Sequence, residues 1–323
     1  MTAEDSLISR YFRPLATDPG AFDLTDDAAI LKSSADELVV TTDAIVEGVH
    51  FLPNDPPDTI ARKALRVNLS DLAAKGAAPA GFVLTLALRT PDDAWLVAFA
   101  RGLGEDATQF GCPLLGGDTV STPGPLMISI TAFGRVPAGT MVQRNGARAG
   151  DRVVVSGTIG DAALGLDLLK GGAAAALAGD ESEMLIGRYR VPQPRVALAQ
   201  AVRDHASAAM DVSDGLAGDL AKLCAVSGVS AAIDAQSIPL SGPARTLLSS
   251  GAVGVESILS GGDDYEILCT IPENRFEAFA QAASLAGVPV TSIGTIIAGI
   301  AVPRFIDGQG AEIALPRLSW SHF

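Results

Sequence analysis

Carboxylates recur in this chain where apolar runs give way, at Asp26-Asp27, Asp43, Asp71, Asp118, Asp211 and Asp214. A carboxylate set in apolar sequence is costly unless a cation meets it. Hard divalent cations take such oxygen ligands, and Mg²⁺ combines a few carboxylates with waters and substrate phosphates. The pattern predicts that these groups converge on divalent metal and, through it, on a nucleotide's phosphates. Each has a plainer account when taken singly. Asp43 also fits a turn or cap after its strand, and Asp71 an i,i+4 pair with Lys75. Asp118 fits a turn after two glycines, and Ser213-Asp214 the cap of a following helix. Jointly the plainer account weakens, because the neighbours are Ala, Gly, Ser and Leu rather than the Lys and Glu of a solvated face.

Other chemistry is largely excluded. No G-x-x-x-x-G-K-[ST] loop is present, and Gly102–Ala107, a faint dinucleotide fingerprint, falls inside a helical pattern with no strand before it. The three histidines, His50, His205 and His322, lack metal-ligand spacing. Cys112, Cys224 and Cys269 are isolated, so neither a disulfide framework nor a zinc site is expected. Gly116-Gly117 and Gly261-Gly262 predict close approach of backbone to a ligand. Arg144 is an available cation for phosphate, and equally a solvated loop residue.

The elements that must position these groups follow from periodicity. Leu38–Thr42 reads as a buried strand ending at Asp43 and overlapping the stretch Val39–Phe51; Ala28–Leu31 reads as another strand. Residues 59–75 read as a helix, with Ala61, Leu65, Leu69 and Leu72 on one face and Ala64, Asn68 and Asp71 on another. Strands are expected at 82–88, 113–115, 126–136, 152–156, 208–212 and 265–270. Helices are expected at 5–13, 93–110, 159–170, 195–205 and 216–226, with 171–182 as a loop or weak helix. Punctuation by Pro137-Ala138-Gly139 and Asn145-Gly146 divides the chain near residue 148, into 1–148 and 149–323. At 323 residues, two α+β domains are the natural expectation.

A net charge of −14 argues against a nucleic-acid or anionic-membrane partner, and makes bound Mg²⁺ the remedy for a phosphorylated substrate. The N-terminus carries Glu4, Asp5, Arg10 and Arg13 without an apolar core, unlike a signal peptide. No apolar run approaches the roughly 20 residues of a membrane span. A cytoplasmic location is expected.

Several blocks together resemble the thiamine-monophosphate kinase family, of the aminoimidazole-ribonucleotide-synthetase superfamily. They are Thr41-Thr42-Asp43-x-x-x-Glu47-Gly48-x-His50-Phe51, Asn68-Leu69-Ser70-Asp71-Leu72-Ala73-Ala74-x-Gly76-Ala77 and Gly116-Gly117-Asp118-Thr119. Asp211-Val212-Ser213-Asp214-Gly215-Leu216, Gly261-Gly262-Asp263-Asp264-Tyr265-Glu266 and the ending Trp320-Ser321-His322-Phe323 complete the set, in order along nearly the whole chain. The resemblance implies the two-domain α+β fold of that superfamily, a homodimer joined through its N-terminal domains, and Mg²⁺- and ATP-dependent conversion of thiamine monophosphate to thiamine diphosphate. It assigns Mg²⁺ to Asp27, Thr41, Thr42, Asp43, Asp71, Asp118, Asp211 and Asp214. It assigns ATP to Gly117, Asp118, Arg144 and Ser213, and thiamine monophosphate to His50, Asp71, Asp263 and Trp320. No residue is expected to act as a covalent nucleophile.

Two positions depart from the family: Thr25 stands where Gly is usual before the Asp pair, and Asp263 where Glu is usual. The rivals are a selenophosphate-synthetase-like or hydrogenase-maturation enzyme, each of which would want a cysteine near one terminus. The first cysteine here is Cys112 and the chain ends in Phe323. A nucleotide or thiamine-phosphate sensor without turnover is the rival of another class, disfavoured by the nearly complete acidic set.

Overall fold

In the computed structural model, residues 6–25, 28–32, 34–172, 174, 177 and 179–319 are described. Asp26, Asp27 and Trp320 lie outside them. The chain divides into two compact units: residues 1–72 with 77–140, and residues 73–76 with 141–323.

A four-stranded sheet organises the first unit. Strands β1 (Glu37–Val46), β2 (Ala78–Leu88), β3 (Leu114–Ser121) and β4 (Met127–Val136) are ordered β1-β4-β2-β3. Along β4 every second residue is buried, which places Ile128, Ile130, Ala132 and Val136 on one face. Helix α1 (Pro57–Ala74) lies over that face. Its Leu72 sits where a side chain at Gly134 would meet it at 3.0 Å.

Helix α2 (Asp93–Gln109) starts at a true cap, Asp92 accepting from the Trp95 N–H at 2.7 Å. It is tied to α1 by charge: buried Asp106 accepts from Arg66 Nε at 2.5 Å and from Arg62 Nη1 at 2.7 Å. Gly102 of the faint fingerprint serves this packing, since a Cβ there would lie 2.5 Å from the Asp58 carbonyl oxygen. The sheet's other face keeps apolar groups in the open: Leu38 is 45% exposed, Val40 55% and Val120 42%.

The second unit is a six-stranded sheet clothed on both faces. Its elements are β5 (Arg152–Ser156), α3 (Asp161–Leu169), α4 (Asp180–Arg190), α5 (Ala199–His205), β6 (Ala208–Asp211), α6 (Leu216–Ser227), β7 (Val229–Asp234), α7 (Gly242–Ser249), α8 (Val255–Leu259), β8 (Ile267–Ile271), α9 (Phe276–Leu285), β9 (Val290–Ala298) and β10 (Arg304–Ile306). The strand order is β10-β7-β9-β5-β8-β6. Val153, Val155, Met210 and Leu268 point into one core, with Leu216, Leu220 and Leu223 of α6. Val154, Ala209, Cys269 and Ile271 point into the other, with Val202 of α5 and Phe279 of α9. All three cysteines are buried free thiols, and burial pushes Cys112 and Cys269 up to about 12. They are small core hydrophobes.

Four expectations change. Residues 28–31 form no strand; the Ile30 N–H instead donates to the Gly20 carbonyl at 2.8 Å. Strand β1 runs on to Val46, so Asp43 lies within it rather than after it. The Gly116-Gly117-Asp118-Thr119 run belongs to β3, not to a turn beyond it. Helix α4 was not expected; its acidic first turn (Asp180, Glu181, Glu183) and basic last turn (Arg188, Arg190) suit the helix dipole.

Candidate active site

In the first unit, β1 and α1 bring one predicted pair together. Thr41 Oγ1 donates to Asp71 Oδ2 at 2.5 Å. Period-2 geometry places Asp43 on this same side, toward α1, and Thr42 on the other. There Thr42 Oγ1 donates to the Ile130 carbonyl at 3.2 Å and accepts from Thr131 Oγ1 at 3.0 Å. Any metal contact from Thr42 on the α1 side would therefore come from its backbone. Asp118 is exposed on β3, the opposite edge of the sheet. Three strand spacings, roughly 14 Å, separate it from β1. That exceeds what one directly bound ion can bridge within a protomer.

Asp118, Gly116 and Gly117 line a cleft of about 390 Å³, together with Phe12, Ala21 and Leu24 of the N-terminal segment. Gly116 faces open space, as a ligand-approach glycine should. Gly117 does not: a Cβ there would collide with the Leu84 carbonyl, so strand pairing already demands glycine. The turn leading into this cleft explains Thr25. Its φ is −108°, in the region any residue adopts, and its hydroxyl donates to the Phe22 carbonyl at 2.6 Å. The left-handed residues are Phe22, Asp23 and Leu24 (φ 47°, 55° and 54°), so no glycine is needed at 25.

His50 follows the end of β1. Its Nδ1 accepts from the Val46 N–H at 3.0 Å, which in the neutral ring puts the proton on Nε2. Buried Lys63 donates to the His50 carbonyl at 2.8 Å and fixes the loop from beneath.

In the second unit, β6 ends at buried Asp211, and Ser213-Asp214-Gly215 leads into α6. Gly215 has φ 108°, and a Cβ there would lie 2.7 Å from the Ser260 carbonyl carbon. The 261–266 segment runs alongside this turn. The Asp263 N–H donates to Ser213 O, the Tyr265 N–H to Val212 O and the Val212 N–H to Glu266 O, each at 2.8 Å. A Cβ on Gly262 would meet Ser213 O at 2.5 Å, and one on Gly261 would collide with Ala163. Gly262 is therefore required by packing against the Ser213 turn, and Gly261 by packing against Ala163 of α3.

Asp263 has φ 72°, a left-handed conformation that Asp tolerates better than most residues. The shorter acid thus suits the backbone at this departure from the family. Asp264 is fully buried and accepts from the Gly160 N–H at 2.7 Å, at the start of α3. Burial holds its carboxyl well above the usual range. Lys222 Nζ pairs with Asp214 Oδ2, so a cation already sits on that carboxylate. Arg144 is exposed, its carbonyl accepting from Ser227 Oγ at 2.9 Å. Among the described residues, no three His, Cys, Asp or Glu side chains form a ready metal cage.

Sequence reading missed Asp219, Lys222 and Glu266 as groups that hold these turns. Asp219 carried a usable signal: an acid in the first turn of a helix whose cap is glycine.

These two constellations match one family of proteins along the whole chain. Residues 25–136 match the AIR synthase related protein N-terminal domain, and residues 148–302 its C-terminal domain. A thiamine-monophosphate kinase of Caulobacter vibrioides is 46% identical over 98% of this chain and 89% of its own length. The chain belongs to the thiamine-monophosphate kinase family. The crystal structure of the family member from Stenotrophomonas maltophilia K279a superposes with TM-score 0.85 at 40% identity, covering 96% of this chain and 98% of that one. An AaThiL structure complexed with AMPPCP and TMP superposes with TM-score 0.79 at 30% identity, over 99% of this chain and 94% of the other. The two-domain α+β fold of this family is thereby established here, and among the described residues no helix is long and apolar enough to cross a membrane.

Proposed function

We propose that this protein phosphorylates thiamine monophosphate to thiamine diphosphate with ATP. The observation that carries the reading is full-length likeness to thiamine-monophosphate kinases, one solved with AMPPCP and TMP, together with the family's acidic motifs in place. The terminal phosphate oxygen of thiamine monophosphate attacks the γ-phosphorus of ATP. The bond from that phosphorus to the bridging oxygen breaks, and ADP leaves with the electron pair. The attacking oxygen is already largely ionised at neutral pH (the second phosphate pKa is about 6), so no general base is required. The protein's work is positioning and charge neutralisation.

The donor set suits Mg²⁺: carboxylate and hydroxyl oxygens, with Lys222 standing as a cation on Asp214. Asp27, Thr41, Thr42, Asp43, Asp71, Asp118, Asp211 and Asp214 are the residues that would hold Mg²⁺, with the β1 and β3 groups on different ions or joined through waters or phosphates. Bound there, it would neutralise charge developing on the phosphates. Gly117, Asp118, Arg144 and Ser213 serve ATP. His50, Asp71, Asp263 and Trp320 serve thiamine monophosphate, with His50 offering its Nε2–H. The assignment gives residues 1–148 the ATP, metal and dimerisation roles, and 149–323 the remaining substrate contacts, in a cytoplasmic enzyme.

An assay with ATP, Mg²⁺ and thiamine monophosphate, reading ADP and thiamine diphosphate, tests the activity; no product from either would overturn it. Direct transfer has its own test. Incubation with γ-labelled ATP and no acceptor is expected to leave the chain unlabelled, whereas a stoichiometric covalent label means a phosphoenzyme.

A homodimer through the first unit is supported by the uncovered face of its sheet, where Leu38, Val40 and Val120 stand exposed. Val40→Glu is expected to shift the sedimentation mass toward one chain. A variant that sediments as the parent does places the interface elsewhere.

A further inference from the structure

The Ser213-Asp214 turn is held by a side chain outside the motif set. Asp219, in the first turn of α6, is fully buried. Its Oδ2 accepts from the backbone N–H groups of both Ser213 and Asp214, each at 2.9 Å. Its Oδ1 accepts from Lys222 Nζ at 2.8 Å, and Lys222 in turn reaches the Asp214 carboxylate. The two N–H groups lie ahead of the cap residue Gly215, outside the helix, and partly buried backbone donors there need an acceptor of their own. Asp219 reaches back past the cap, as the acid of a capping box does, and serves the two N–H groups ahead of it. Hydrogen bonds to an ionised acceptor are about twice as strong as neutral ones. On its other side the turn is tied by the Asp263 N–H at Ser213 O, at 2.8 Å.

We propose that Asp219 is a positioning residue for phosphoryl transfer. By fixing the two N–H groups it sets the direction in which the Ser213 hydroxyl and the Asp214 carboxylate face. Lys222, anchored on Asp219, holds the Asp214 carboxylate in place. This rests on the assignment of Ser213 to ATP and Asp214 to Mg²⁺.

The test compares Asp219→Ala and Asp219→Asn with Ser213→Ala and Asp214→Asn. Three quantities are read: KM for ATP against kcat, calorimetric Kd for a non-hydrolysable ATP analogue with Mg²⁺, and hydrogen exchange of a peptide spanning 211–216. Asp219→Ala is expected to weaken analogue binding and raise KM for ATP about tenfold or more, with faster exchange at Ser213 and Asp214. Asp219→Asn keeps an oxygen for both N–H groups but turns its NH2 on Lys222, and is expected to lose at least about threefold less than Asp219→Ala. Normal analogue affinity in Asp219→Ala, even with a lower melting temperature, overturns the proposal, as does equal loss in the Ala and Asn variants. Should Asp219→Ala fail to fold, Asp219→Ser, too short to reach both N–H groups, is measured against the same expectation. If Ser213→Ala and Asp214→Asn bind the analogue normally, the underlying assignment fails and the positioning role falls with it. If those two lose binding while Asp219→Ala does not, the positioning role alone fails.

Discussion

Asp43→Asn and Asp118→Asn are each expected to lower kcat by about 10²-fold or more, with the melting temperature nearly unchanged. Both side chains are exposed, one on β1 and one on β3, so neither supports the core. Each substitution replaces an anionic oxygen by a neutral amide while keeping its shape. A loss of that size without unfolding therefore reads the contact to a cation or a phosphate. Excess EDTA is expected to abolish turnover of the parent protein. Thr42→Val sharpens the comparison, because its hydroxyl is spent on Ile130 and Thr131, away from α1. If Thr42 serves metal through its backbone, Thr42→Val costs far less than Asp43→Asn. Equal losses in the two would mean the β1 side chains have been assigned to the wrong faces. Turnover in EDTA, or near-parental kcat in both Asn variants, would sink the metal reading.

The sequence carried the architecture where one period dominates. The alternation of 126–136 and the i, i+4, i+8, i+11 spacing over 59–75 each became an element within two residues of its expected bounds at either end. It misled where local composition and tertiary pairing disagree. Ala28–Leu31 has strand-like residues, yet its backbone bonds across to Gly20 instead of to a strand. Thr41-Thr42-Asp43 and Gly116-Gly117-Asp118 look like strand ends. Both continue as strand because a neighbouring strand pairs there: Asp43 opposite Ile130, and Gly117 beside Leu84. The motif residues were legible because function restricts their types. The groups that hold them were not, since a buried Asp or Glu announces itself only through partners distant in sequence.

Glu266 is the clearest of these, and its removal is expected to have the largest effect on stability. The sequence gives it the look of a strand residue beside Tyr265. In the structure it is fully buried, with two guanidiniums on one carboxylate. Arg188 Nη2 donates to Oε1 at 2.6 Å, while Arg195 donates from Nε to Oε2 at 2.6 Å and from Nη2 to Oε1. Ser156 Oγ also donates to Oε2 at 2.6 Å, and accepts from the Ile267 N–H at 2.8 Å. Arg188 comes from α4, Arg195 from the segment after it, Ser156 from β5 and Glu266 from the lead into β8. One carboxylate thus fastens four parts of the second unit.

Glu266→Ala strands two largely buried cations, and losing one partner of such a group costs about 3–5 kcal/mol. At roughly 2–4 °C per kcal/mol, the melting temperature is expected to fall by about 6–20 °C. Arg188→Met leaves the bidentate Arg195 pair intact and should cost only about 1–2 kcal/mol. Calorimetry or urea melts of the three proteins decide the matter. If Glu266→Ala loses less than about 1 kcal/mol, the two arginines have found solvent and the carboxylate is not their anchor. If Arg188→Met loses as much as Glu266→Ala, the fastening belongs to Arg188 and its helix rather than to Glu266.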